Sequence, residues 1–329
     1  MKHFLLFIII SFLVSTHSTS VLSKENINKL YEDGRESFLK FNDEGFKEAI
    51  KNYKKIIDSN PDYTKAYSGL AETYSFIGYF NKEAKNEYEN DFNLSYKYIN
   101  KAISLDPENK DVLRAITYLH LNLNRPNDAL NIARKLLQKE PENHEYLFLY
   151  WAADGKKPED NKINRVLDSN PDFVIAHLEL AKSYYRRRGN AAMAIHHLKK
   201  AIDVSDSPIS RNMLGKVYRS KSLVYESIEE FNKALEMNPS YTQARVNKGI
   251  SLFYIQRYNE SIKALVINEK LNERFPETYY FLGSNYSKLG NREKSIAFYK
   301  KFIKITKGQS KYNYYINEAK NNLAYLNQS

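Results

Sequence analysis

Few residues in this chain could do covalent chemistry. There is no cysteine among the 329 residues, which excludes thiolate nucleophiles, disulfides, Cys-bearing zinc sites, iron–sulfur clusters and Cys-linked lipid anchors. The only adjacent histidines are His196-His197. Neighbours on a helix diverge by about 100°, so the two are poorly placed to share one metal. His120 and His177 fall at repeated apolar positions and read as packing. No His-Glu-x-x-His segment and no Gly-rich phosphate loop occur. Glu229-Glu230 is read as lying on an exposed helix face, with no acid–base role. No catalytic set, metal site or cofactor is expected, and the chain reads as non-enzymatic. The chemistry that remains is recognition by charge and by aromatic rings, since Lys+Arg outnumber Asp+Glu 50 to 39 and Tyr numbers 27.

The charge is polarised along the chain. Residues 24–171 hold 23 basic and 25 acidic residues, whereas 172–329 hold 26 and 14. A bias toward lysine throughout would act on both halves alike, so the asymmetry points to the second half as a binding surface. A merely solvated surface is the plain alternative.

The elements that position these charges follow from length and spacing. A single hydrophobic core stops growing beyond about 250–300 residues, so 329 residues imply two domains or a repeat array. The spacing decides for repeats. Leu180-Ala181 is followed by Tyr184, Leu214-Gly215 by Tyr218, Lys248-Gly249 by Leu252 and Leu282-Gly283 by Tyr286, a period of 34 residues. Leu70-Ala71 with Tyr74 and Ile116-Thr117 with His120 carry the same pattern upstream. A second pattern follows: Ala49, Tyr53, Ile56, Pro61; Ser95, Ile99, Ala102, Pro107; Ala129, Ala133, Leu136, Pro141; Ser227, Phe231, Ala234, Pro239. Offsets of three and four mark one face of an α-helix, and proline closes each helix. Each unit is thus two antiparallel helices, with small residues allowing close approach and large ones filling the gaps. One unit cannot bury its own apolar face, but a stack can.

These residues resemble the tetratricopeptide repeat (TPR) family, whose Leu-Gly-x-x-Tyr, Ala-x-x-x-Phe and closing Pro are recognisable here over about residues 28–307 in roughly eight units. The resemblance implies an all-α, right-handed α-solenoid over 24–307. Residues 308–329 form a capping helix with Tyr312, Tyr315, Ile316, Ala319, Leu323 and Leu326 on one side. Three departures stand out: a longer turn around Asn42-Asp43-Glu44-Gly45; 46 residues between Pro61 and Pro107, 12 more than the period; and 30 between Pro141 and Pro171, a shortened unit holding Trp151. They read either as drift in loop length or as a ridge or break that a partner uses.

Many tyrosines, among them Tyr53, Tyr67, Tyr74, Tyr184, Tyr218, Tyr286 and Tyr299, fall on the packing stripe. The resemblance places the first helix of each unit along an inner groove. Helix phase then gives the groove positions: Lys182, Tyr185 and Arg186, beside Arg187 and Arg188, in the fifth unit; Asn212, Lys216 and Arg219 in the sixth; Gln243, Val246, Ile250, Phe253 and Tyr254 in the seventh; Glu277, Tyr280, Ser284 and Lys288 in the eighth. A basic patch adjoins an aromatic surface, which suits an extended protein or peptide segment with acidic or carboxylate groups and an apolar anchor. The family's chaperone-tail clamp is not implied, because Leu178, Lys182, Met213, Gln243 and Asn247 stand at its positions. The competing reading is an anionic polymer, whether nucleic acid, envelope glycopolymer or an anionic lipid surface. It draws on the outward cations of second helices, such as Lys199, Lys200, Lys233, Lys300 and Lys301.

The first residues are expected to serve export. Lys2 precedes an apolar run from Phe4 to Val14, followed at once by polar residues. That run is too short for a bilayer span of about 20 residues and has the length of a signal-peptide core. Residues 1–23 are therefore read as a signal peptide cleaved near Ser23, leaving no transmembrane span in the mature chain. The periplasm or cell envelope is the expected compartment, with secretion as the alternative. Asn93, Asn259, Asn285 and Asn327 open glycosylation sequons that matter only in a cell that glycosylates exported proteins.

Overall fold

The computed structural model describes residues 22–269 and 275–328, and all its regular structure is helical. Sixteen helices form eight antiparallel pairs: α1 (Lys24–Leu39) with α2 (Asp43–Ser59), α3 (Thr64–Glu83) with α4 (Glu89–Leu105), α5 (Lys110–Asn122) with α6 (Pro126–Lys139), α7 (His144–Ala153) with α8 (Asn161–Ser169), α9 (Val174–Ser183) with α10 (Ala191–Val204), α11 (Pro208–Ser220) with α12 (Val224–Met237), α13 (Thr242–Tyr254) with α14 (Tyr258–Glu269), and α15 (Pro276–Lys288) with α16 (Arg292–Ile305). A last helix, α17 (Asn313–Gln328), packs on α16. The expected signal peptide lies outside the described residues except for its last two positions. There the Ser23 side chain caps α1 by accepting from the Asn26 amide at 3.2 Å.

Local chemistry explains the pairing. Pro61, Pro107, Pro141, Pro171 and Pro239 each stand just past the end of a second helix, where a missing amide hydrogen and a fixed φ stop propagation. Within a pair, the small residue of the first helix meets the large one of the second. A Cβ on Gly215 would lie 2.6 Å from the Phe231 ring, so only glycine lets α11 and α12 come this close. The turns at 40–42, 123–125, 221–223, 255–257 and 289–291 share one length. Their central residues Phe41, Asn124, Ser222, Gln256 and Gly290 are all left-handed, with φ of 48, 61, 61, 61 and 73°. The longer first turn expected from sequence is therefore not present: Asn42 caps α2 and Gly45 belongs to the helix. The shortened fourth unit is real and comes from two short helices. Buried Trp151 donates its indole N–H to the Lys157 carbonyl at 2.7 Å, fixing the connection between them.

First helices touch one another directly, α1 with α3, α3 with α5, α5 with α7, and again α11 with α13 and α13 with α15. In the first half much of this inner layer is filled, up to an open hollow of about 510 Å³ beside Tyr79, Asn122, Ala152 and Lys156. Phe41 and Phe38 meet Phe76 at 5.0 and 5.5 Å, Phe76 meets Tyr118 at 5.1 Å, and Phe41 reaches Phe173 of the fifth unit at 6.3 Å. A buried aromatic in left-handed backbone is costly, and Phe41 is held there by rings on several sides. Beside them lies a buried charge cluster. Arg35 of α1 pairs with Glu72 of α3 and, at 2.9 Å, with Glu145 of α7. Arg114 of α5 pairs with Glu72 and Asp111, both at 2.7 Å. The Tyr31 and Tyr118 hydroxyls donate to Asp111 and Glu145 at 2.9 and 2.8 Å. Burial opposes ionisation of Glu145, but Arg35 and Arg114 overcome it and hold the carboxyl at about 2.

The extra residues of the second unit lengthen α3 and the segment that follows it, 84–88. This strap crosses to the second half. Ala84 is buried against Tyr241 and Ala244, and Lys85 lies 3.7 Å from Glu277 and 4.7 Å from the Phe275 ring centroid.

A histidine pair adds a titratable joint. His177 Nε2 lies 2.8 Å from the Pro171 carbonyl, so it carries the hydrogen, and His177 Nδ1 accepts from His197 Nδ1 at 2.9 Å. Burial, then repulsion from His177 and His196, pushes His197 down to about 4. Burial likewise lowers His177. In unfolded chains these rings take up protons near 6.5, so below that pH the unfolded state binds more protons. Stability should be level above about pH 6.5 and fall by on the order of 1–2 kcal/mol by about pH 5. Denaturant melts across this range check it, and His197→Gln should flatten the slope.

Candidate functional site

The second half holds the residues expected to bind. They come from first helices, and a π-helical turn, Tyr184–Arg188, extends α9 before Gly189 ends it at φ 58°. Such turns add a residue to a helix and redirect the side chains beyond it.

Tyr185, Lys216, Arg219 and Tyr254 line one open hollow of about 440 Å³. Tyr254 is 55% exposed, and Tyr185 is half-buried. Arg219 is held in place by bonds to the Asn247 carbonyl and side-chain oxygen at 2.9 and 3.0 Å. Lys216 has no carboxylate within ion-pair distance among the described residues. Burial lowers its pKa; Glu83 works against that, and Arg186, Arg219 and Lys182 add to it. Exposed Arg186 lies 4.0 Å from Glu83 at the end of α3. A smaller hollow of about 50 Å³ lies among Glu83, Lys182, Tyr185, Arg186 and Lys216.

Other expected site residues are used internally. Lys182 is buried. It pairs with Glu179 at 2.9 Å and donates to the Tyr79 hydroxyl, which itself donates to Glu179 at 2.8 Å. Burial would strip the proton from Lys182, but Glu179 and Tyr79 hold it on. Glu179 also pairs with Lys156, and the two lysines keep its carboxyl well below the usual range. Asn212 is buried, donating to Tyr241 at 3.3 Å and accepting from Asn247 at 2.9 Å. Lys182 and Asn212 are both held by internal partners, although Lys182 still lines the small hollow. Val246, Ile250 and Ser284 are buried as well.

The aromatic side is partly covered. Half-buried Phe253 packs on Tyr254 and Phe281 at 5.9 and 5.4 Å. Tyr280 lies against Tyr315 of α17 at 4.9 Å and Phe302 at 5.4 Å, so the last helix takes up much of its ring. Lys288 is exposed in the last turn of α15, apart from the residues around the two hollows. Glu230, read as exposed, is buried and accepts from Arg211 at 2.9 Å. Asn285 is buried and donates to Ser261 at 2.8 Å, which leaves no room for a glycan. Among the described residues, no group of three or more His, Asp or Glu could hold a metal ion. Nor is any of their helices long and apolar enough to cross a membrane.

The charge cluster of the first half was not anticipated, though the phase rule reaches part of it. Arg35, Glu72 and Tyr118 directly follow Gly34, Ala71 and Thr117, as Lys182 and Lys216 follow Ala181 and Gly215.

The tetratricopeptide repeat profile matches residues 210–241 and 276–308, the sixth and eighth helix pairs. A TPR repeat-containing protein of Methanocaldococcus jannaschii, MJ0940, is 35% identical over 109 residues, which are 32% of this chain and 34% of that protein. The match thus spans about a third of the curated relative. Among solved structures, a chain of the APC/C hetero-tetramer Cut9-Hcn1 superposes with TM-score 0.66 and 16% identity over 92% of this chain and 57% of that one. PilW, a type IV pilus biogenesis factor, superposes with TM-score 0.53 and 10% identity over 64% of this chain and 97% of that one. At such identities the likeness is one of fold. The chain is a TPR-like helical repeat scaffold, a fold consistent with protein–protein interaction.

Proposed function

We propose that this TPR-like solenoid is a non-enzymatic interaction scaffold that takes an extended, acidic partner segment on the basic and aromatic surface of its second half. The observation that carries the reading is the hollow that joins Lys216 and Arg219 to Tyr185 and Tyr254. Lys216 is a poorly solvated cation among other cations, so a carboxylate brought to it gains charge-assisted hydrogen bonds. The two tyrosines offer flat apolar area to an aromatic or aliphatic anchor. The first half also has an open hollow, of about 510 Å³, but the Tyr79, Lys156, Glu179 and Lys182 groups that line it already pair with one another. The amino-terminal sequence pattern supports action outside the cytoplasm, as an assembly factor of the periplasm or cell envelope.

An anionic polymer would use charge alone, over many outward cations. Two of these are already engaged: Lys233 pairs with Glu229 and Glu230 at 2.7 and 3.3 Å, and Lys301 lies 4.3 Å from the Tyr279 ring centroid. Fluorescence anisotropy separates the two readings. A labelled acidic peptide with one aromatic residue should lose less than about tenfold in affinity between about 50 and 200 mM salt. Replacing its acids by amides should abolish binding. If the peptide fails to bind while an oligonucleotide binds and loses about a thousandfold or more over that range, the scaffold reading is wrong.

A further inference from the structure

The basic surface already has an acidic neighbour of the chain's own. Glu83 comes from the second unit, about a hundred residues before the cations it faces. It stands in the last turn of α3, where the helix dipole disfavours a negative charge. Its place is therefore set by what lies opposite, namely Arg186 at 4.0 Å with Lys182 and Lys216 around the same small hollow. The strap that follows is anchored independently. Ala84 is buried on Tyr241 and Ala244, and Lys85 reaches Glu277 and Phe275.

Glu83 is also an imperfect occupant. At 4.0 Å its pair with Arg186 is at the limit of an ion pair, Lys216 has no carboxylate at that range among the described residues, and about 50 Å³ stays unfilled between them. That is room for at least one water molecule, which takes about 30 Å³ in the liquid. A partner carboxylate approaching from outside could sit closer to both cations.

We infer that Glu83, held in place by the strap 84–88, is a built-in occupant of the small hollow on the cation side of this surface, which an acidic partner must displace, so that Glu83 determines how strongly and how selectively acidic segments bind. The inference rests on the scaffold reading above. The free energy that holds Glu83 against Arg186 is subtracted from every partner's binding. It is subtracted most usefully from weak, singly charged partners, which cannot outcompete it. Partners with several acids in register gain more than they displace.

Two variants of the full chain test this with the labelled acidic peptide. Glu83→Gln removes the competing charge and should tighten binding about fivefold, the scale of one partly exposed ion pair. Lys85→Glu repels Glu277 and loosens the strap without touching the basic patch, and it should also tighten binding. The same peptide with amides in place of acids should respond to neither. Circular dichroism and melting establish that each variant is folded, and Lys85→Glu keeps the question open to test if Glu83→Gln is not. A folded variant that binds the acidic peptide no more tightly than the wild type overturns the inference and leaves the scaffold reading intact. Failure of the wild type and of both variants to bind overturns the scaffold reading and this inference with it.

Discussion

Replacing Glu72 by alanine is expected to destabilise the fold by about 3–5 kcal/mol. Glu72 is fully buried and accepts from Arg35 and from Arg114. Its loss leaves two buried guanidinium groups to share Glu145 and Asp111. Each then holds donors with neither water nor acceptor, and the cost is the desolvation of charge left uncompensated. The effect also reaches far along the chain, because the cluster ties α1 to α7. Urea melts by circular dichroism would measure the loss. Exchanging Glu72, Arg35 and Arg114 together for apolar residues of similar size should cost much less, since no charge is then stranded. A loss below about 1 kcal/mol for Glu72→Ala would mean that water or relaxation satisfies the arginines.

The second large effect concerns binding. Reversing Arg186 and Lys216 together to glutamate should weaken an acidic peptide by about a hundredfold, as expected when two close charge pairs become repulsive. The fold should tolerate the change. Arg186 is exposed and holds Glu83 only loosely, at 4.0 Å, and among the described residues Lys216 has no carboxylate at ion-pair distance. Lys182, although it was one of the expected contacts, is the wrong residue to reverse, because Glu179 and Tyr79 depend on it. Its substitution would mix stability with binding.

The repeat was legible because its cause is local. Helix–helix contact within a unit demands a small residue opposite a large one every 34 residues, as Gly215 and Phe231 show. The polarised charge was legible as composition. The filled interior was not, since Arg35 and Glu145 stand 110 residues apart and no periodic signal links them. Phase does place Arg35 and Glu72 where Lys182 and Lys216 stand, but it cannot say which inner positions will find partners across the superhelix. The 12 added residues were legible as an insertion, yet their destination depends on how tightly the stack curls. Curvature sums small rotations between neighbouring units, which single side chains do not reveal. For the same reason Lys182 and Asn212 read as surface groups, although Tyr79 and Tyr241 stand ready to take them up.

The most direct test is a charge swap read by equilibrium binding. Two labelled peptides of equal length and one aromatic residue each, one acidic and one with lysine at the acidic positions, are titrated with the wild type and with the Arg186→Glu/Lys216→Glu variant. The wild type should bind the acidic peptide and not the basic one, and the variant should reverse that preference. A variant that binds the acidic peptide as tightly as the wild type would contradict the placement of the partner on this surface.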